Sequence, residues 1–79
     1  MARVLLFGRL SDIAGWREQD RACESISALR AMLTSEDAQL GEALCAPGVQ
    51  VVLDQAIIRG DAALSVRSEV AFLPAMSGG

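Results

Sequence analysis

The run Val4-Leu5-Leu6-Phe7, bounded by Gly8, reads as a buried strand, and Glu69-Val70-Ala71-Phe72-Leu73, stopped by Pro74, reads as the last strand of the chain. Side chains alternate along a strand, so Val4, Leu6, Val70 and Phe72 can share one face while Leu5, Phe7, Ala71 and Leu73 share the other. Between the two strands the signals change period. Ser25 to Leu33 carries the clearest helical pattern, with Ser25 placed to cap it and Ile26, Leu29 and Leu33 forming one apolar stripe. A shorter helix runs from about Asp37 to Leu44, with Leu40, Ala43 and Leu44 on one side, until Pro47-Gly48 stops it. Val49 to Leu53 and Ala56 to Arg59 form a hairpin across Asp54-Gln55, and Gly60-Asp61 ends it. Trp16 to Cys23 is a mostly polar edge strand. Leu10 to Gly15 is a single helical turn that Asp12 can cap and Gly15 can end. The order predicts an α+β fold: one mixed sheet with one main helix packed across one face.

Composition narrows the chemistry. The chain has 79 residues, with seven basic side chains against ten acidic, a formal charge of −3. All seven are arginine. Such a length suits one small domain, so 1–79 is read as a single unit. The absence of histidine removes Ser-His-Asp and Cys-His nucleophile pairs and imidazole-ligated zinc. The absence of lysine removes Schiff-base chemistry and a P-loop phosphate ligand. No metal site is expected. An acidic chain is also a poor match to nucleic acid or an anionic membrane, which need clustered cations. Cys23 and Cys45 form no C-x-x-C pair and are read as reduced thiols packed as small hydrophobes, although spacing leaves a disulfide between them open. The apolar run near Met1 is too short for a signal or a membrane span, and a cytoplasmic location is expected. Trp16 is read either as a cap on the core edge or as part of an interface.

Two features point to function. Two short helices can cover only one face of the sheet, so Phe7, Leu73 and Ile57 should remain apolar and open to water, the mark of a partner surface. The chain then closes with Leu73-Pro74-Ala75-Met76-Ser77-Gly78-Gly79, uncharged before its terminal carboxylate. Fully extended, that tail would reach about 20 Å at ~3.3 Å per residue. Residues 74–79 are expected to be a flexible tail, and a Gly-Gly tip is slim enough to enter a narrow channel.

Met1-Ala2-Arg3-Val4-Leu5-Leu6-Phe7-Gly8-Arg9-Leu10-Ser11-Asp12-Ile13-Ala14-Gly15 resembles the opening of the MoaD-type small subunits of molybdopterin synthase. Glu69 to Gly79 is similar to that family's closing signature, D-E-V-A-F-x-P-P-V-x-G-G. Arg67-Ser68 stands where the family has a Gly-Asp turn, and Ala75 replaces its second proline.

The resemblance implies a ubiquitin-like β-grasp fold with the first and last strands adjacent and parallel. It implies a sulfur carrier in which an E1-like adenylyltransferase uses ATP to adenylate the carboxylate of Gly79, and a sulfurtransferase or cysteine desulfurase supplies the sulfur of a thiocarboxylate. No cofactor is bound by the carrier itself. Gly78 is the slim residue that threads the channel. Phe7, Ile57, Leu73, Pro74, Met76 and Ser77 would contact the large catalytic subunit in a heterotetramer of two small and two large subunits. There the thiocarboxylate would convert precursor Z (cyclic pyranopterin monophosphate) to the molybdopterin dithiolene. Two alternatives share the same ending: a carrier for thiamine, cysteine or tRNA thiolation, and a ubiquitin-like protein modifier. Arg59 and Arg67 are read as solvated charges.

Overall fold

A computed structural model describes residues 1–75. Within them lie β1 (Ala2–Leu6), α1 (Arg9–Ala14), β2 (Glu18–Arg21), α2 (Ile26–Glu36), α3 (Ala38–Leu44), β3 (Gln50–Leu53), β4 (Ala56–Ile58) and β5 (Glu69–Leu73). The strands form a mixed sheet in the order β2-β1-β5-β3-β4. β1 and β5 are parallel neighbours at its centre, with Val4 opposite Val70 and Leu6 opposite Phe72. The remaining pairs are antiparallel.

The expected division of faces is present. Val4, Leu6, Val70 and Phe72 are at most 2% exposed. They meet Ile26, Leu29 and Leu33 of α2, and Leu40 and Leu44 of α3, in one cluster that also takes in Leu10 and Val51. Burying each such side chain contributes roughly 1.5–3 kcal/mol, which makes this layer the main source of stability. The cluster is closed at one edge by Trp16, half-buried against the core with the Arg21 guanidinium 5.5 Å from its ring centre. Arg21 also pairs with Glu36, tying β2 to the end of α2.

Local chemistry explains the helix limits. The Ser25 hydroxyl accepts the Ala28 N–H at 3.1 Å, capping α2. A second cap arrives from far along the chain: the Asp61 carboxylate accepts both the N–H and the hydroxyl of Ser27 at 2.8 Å. α2 runs past Leu33 to Glu36, beyond its apolar stripe, because Asp37 supplies the stop. The Asp37 carboxylate accepts the N–H groups of Gln39 and Leu40 at 3.0 and 3.1 Å, so one residue ends α2 and starts α3.

Several expectations require correction. The first strand is displaced toward the N-terminus: its ladder with β2 begins at Ala2 opposite Arg21. It ends before Phe7, because Gly8 turns the chain. Asp12 does not cap α1. Gly8 occupies that position with φ 57° and ψ −134°, the Ser11 hydroxyl donates to its carbonyl at 2.8 Å, and Asp12 falls inside the first turn. Cys45 is exposed, because it stands at the C-terminus of α3 where the chain returns to the surface, while Cys23 is half-buried; both thiols are free.

The two turns that aim β5 rest on side-chain hydrogen bonds. Asp54 and Gln55 both adopt positive φ, 49° and 73°, giving the β3–β4 hairpin the twist that two-residue turns require. The Asp54 carboxylate accepts the Glu69 N–H at 2.9 Å. Where the MoaD-type pattern has Gly-Asp, Ser68 is buried and its hydroxyl accepts the Ser65 N–H at 2.9 Å, while the Ser65 hydroxyl accepts the Arg67 N–H at 3.2 Å.

Candidate functional site

The helices leave the other face of the sheet open. Register places Glu18, Leu5, Ala71, Val52 and Ile57 in one row across all the strands from β2 to β4. Leu5, Ala71 and Val52 are half-buried by their neighbours, whereas Ile57, on the edge strand, is 63% exposed. Leu73 stands opposite Gln50, one row nearer the end where β5 finishes. Phe7 follows β1 at that same end; its N–H donates to the Phe72 carbonyl at 3.2 Å, and its side chain is 45% exposed.

Phe7, Leu73 and Ile57 therefore stand on one face, with Leu5, Ala71 and Val52 forming its apolar floor. Val52 was not among the expected surface residues. The signal for it lies in strand alternation, since Val51 is buried and its neighbour must point the other way. Pro74 is half-buried just beyond Leu73. Met76, Ser77, Gly78 and Gly79 lie outside the described residues.

The charges around this face are weakly held. Arg3 and Glu18 form an ion pair at 3.3 Å with both side chains more than half exposed, a contact worth little in water. Arg59 and Arg67 are exposed and outside the ion pairs of the described residues. Cys23 is not poised to attack. Cys23 has its thiol pushed above the usual range by burial, only partly offset by the nearby Arg21 charge, which is the reverse of what a reactive thiolate needs. Among the described residues, no group of three or more Cys, Asp or Glu could hold a metal ion. No described helix is long and apolar enough to cross a membrane. What this arrangement can do is bind: it offers an apolar sheet face, rimmed by polar groups, next to the point where the last strand ends.

The backbone has known counterparts. It superimposes on the solution structure of small archaeal modifier protein 1 from Methanosarcina acetivorans with a TM-score of 0.87, covering 99% of this chain and 95% of that one at 21% identity. The crystal structure of small archaeal modifier protein 1 from Haloferax volcanii gives a TM-score of 0.80 at 20% identity, covering 99% and 98%. At such identity the likeness is one of fold, and the fold is the ubiquitin-like β-grasp. No curated protein shows a significant sequence match. The ThiS family model, in contrast, matches residues 4–79, from the second residue of the central β1 pairing to the terminal diglycine. With nearly its whole length matched, the chain belongs to the ThiS family.

Proposed function

We propose that this chain is a sulfur carrier whose reacting group is the carboxylate of Gly79, and that its acceptor complex is molybdopterin synthase, where it serves as the small subunit. The observation that carries the reading is an apolar face with Phe7 and Ile57 exposed and Leu73 half-buried, less open than expected because neighbouring strands flank β5, beside the end of that strand, which leads into the Pro74–Gly79 segment. Membership of the ThiS family over residues 4–79 supports the carrier role. The opening Leu6-Phe7-Gly8-Arg9-Leu10 and the Val70-Ala71-Phe72-Leu73-Pro74 ending support the molybdopterin assignment.

The chemistry follows from what a carboxylate lacks. It is a poor electrophile, so an E1-like enzyme joins the Gly79 carboxylate to the AMP portion of ATP and releases pyrophosphate. A sulfurtransferase or cysteine desulfurase holds sulfur as a persulfide, whose outer sulfur forms the C–S bond as the C–O bond to AMP breaks. A thiol then cleaves the resulting S–S bond, leaving the thiocarboxylate and a disulfide on the donor side. The product C(=O)S⁻ is ionised and polarisable, and so nucleophilic without a neighbouring base. That fits a chain with no histidine or lysine. The acid–base groups of sulfur transfer would belong to the large subunit, which the open face would grip in a heterotetramer while Gly78 and Gly79 enter its site. Pro74, Met76 and Ser77 would line the same contact. Each of the two sulfurs of the dithiolene would require a fresh carrier.

A second reading draws on the likeness to the small archaeal modifier proteins: the same activated Gly79 would form an amide with a lysine of another protein. The test that separates the two is reconstitution. Thiocarboxylated chain, mixed with a molybdopterin synthase large subunit and precursor Z, is expected to yield dithiolene and return a Gly79 carboxylate. Failure of a chain shown to carry the thiocarboxylate to yield dithiolene would overturn the molybdopterin assignment. Lysine-linked conjugates formed instead, when ATP, an E1-like enzyme and cellular proteins are supplied, would favour the modifier reading.

A further inference from the structure

β5 runs between β1 and β3, and a glycine stands on each side of the place where it ends. Gly8 follows β1 with φ +57°, and a methyl group on it would lie 3.0 Å from Pro74 Cγ. Gly48 precedes β3 with φ +87°, and a methyl group there would lie 2.7 Å from Ala75 Cβ and 3.5 Å from Ala75 Cα. Two loops far apart in sequence thus present bare backbone to two consecutive residues of the departing chain.

Turn geometry alone does not account for this. Gly15 and Gly60 have the same positive φ, 83° and 79°, yet a methyl group on either would meet nothing within 4 Å. Those two glycines serve their turns only. Gly8 and Gly48 serve their turns and also make room for Pro74 and Ala75. Pro74 has a fixed φ and no N–H to extend the ladder, so steric walls rather than hydrogen bonds steer the chain here.

We propose that Gly8 and Gly48 form a slot that sets the direction in which the chain leaves β5, making them positioning residues for the loading of Gly79. The inference rests on the carrier reading. A reaction at the end of a narrow segment depends on how that segment is aimed, and a misplacement of about 1 Å can cost up to ~100-fold in rate. A methyl group on Gly48 must displace Ala75 by a comparable amount.

The experiment compares four full-length variants with the parent chain: Gly48→Ala, Gly60→Ala, Ala75→Val and the double variant Gly48→Ala/Ala75→Gly. Thiocarboxylate formation is followed by intact mass with an E1-like enzyme, ATP and a sulfur source, while Kd for that enzyme and Tm are measured alongside. Gly48→Ala and Gly60→Ala both place a side chain at positive φ and should both lower Tm, Gly48→Ala by at least as much because its methyl group also meets Ala75. Only Gly48→Ala should lose loading kcat/KM, by about 10- to 100-fold, at unchanged Kd. The double variant should recover the loading rate while its Tm stays below the parent's, since it removes the clash and keeps the strain. Ala75→Val, which enlarges the other side of the contact, should also slow loading and decides the matter even if Gly48→Ala folds poorly. Parent-like loading by Ala75→Val, or no recovery in a folded double variant, would overturn the slot. Failure of the parent chain to load would instead overturn the carrier reading.

Discussion

The two faces of this sheet come from the same strands and differ in fate. On one, Val4, Leu6, Val70 and Phe72 are sealed under α2 and α3; on the other, Phe7 and Ile57 stay 45% and 63% exposed. Alternation assigns residues to faces, but only the supply of helices decides which face becomes the core. A chain with enough helix for one layer leaves a second apolar surface that is costly to keep in water unless it is used. The comparison separates stability from recognition: the covered face holds the fold, and the open face is free to meet another protein.

That separation can be broken most severely at Phe72. Phe72→Ala should destabilise the fold by about 3–5 kcal/mol in urea unfolding, because it empties the most tightly enclosed aromatic site, whereas Ile57→Ala should cost about 0.5 kcal/mol or less. Equal costs would erase the distinction between the faces. Recognition is sharpened by the converse change. Phe7→Arg or Leu73→Arg should weaken binding of the proposed partner, a molybdopterin synthase large subunit, by about 2–4 kcal/mol in calorimetry, while unfolding stability stays within about 1 kcal/mol of the parent.

The smallest effect concerns the Asp61 clamp at the start of α2, away from both faces. The two Ser27 hydrogen bonds hold the Asp61 carboxyl below its usual 3.8 in the folded chain. The unfolded chain therefore binds this proton more readily than the folded one. The stabilisation is fully present above that usual value and fades as pH falls through the lower, folded value. Asp61→Asn should flatten that part of the stability–pH curve and lower Tm slightly at neutral pH. An unchanged curve would mean the clamp contributes nothing.

Much of this was readable before the fold was known, for physical reasons. The Ser25 cap, the Ile26–Leu29–Leu33 stripe and the alternation of the first and last strands are local patterns, and each lies where it was expected. The Asp54-Gln55 hairpin was legible even without glycine, because β-branched runs flank it on both sides. What was missed or misread is mostly set at a distance. Asp61 reaches Ser27 across 34 residues. Gly8, rather than Asp12, starts α1 because its backbone alone can take that turn, and its other duty, clearing Pro74, involves the far end of the chain. Cys45 looked apolar enough to be buried, but its place after α3 puts it in solvent. For the candidate site, face alternation singled out Phe7, Leu73 and Ile57; the same alternation applied to β3, where Val51 is buried, places Val52 beside them.

The central claim is that Gly79 carries sulfur, and intact mass tests it most directly. After incubation with ATP, an E1-like enzyme and a sulfur source, the full-length chain should gain the mass of one sulfur in exchange for one oxygen, localised to Gly79. A chain lacking Gly79 should fold normally and gain nothing. An unchanged mass for the full-length chain under conditions that load another ThiS-family carrier would contradict the account.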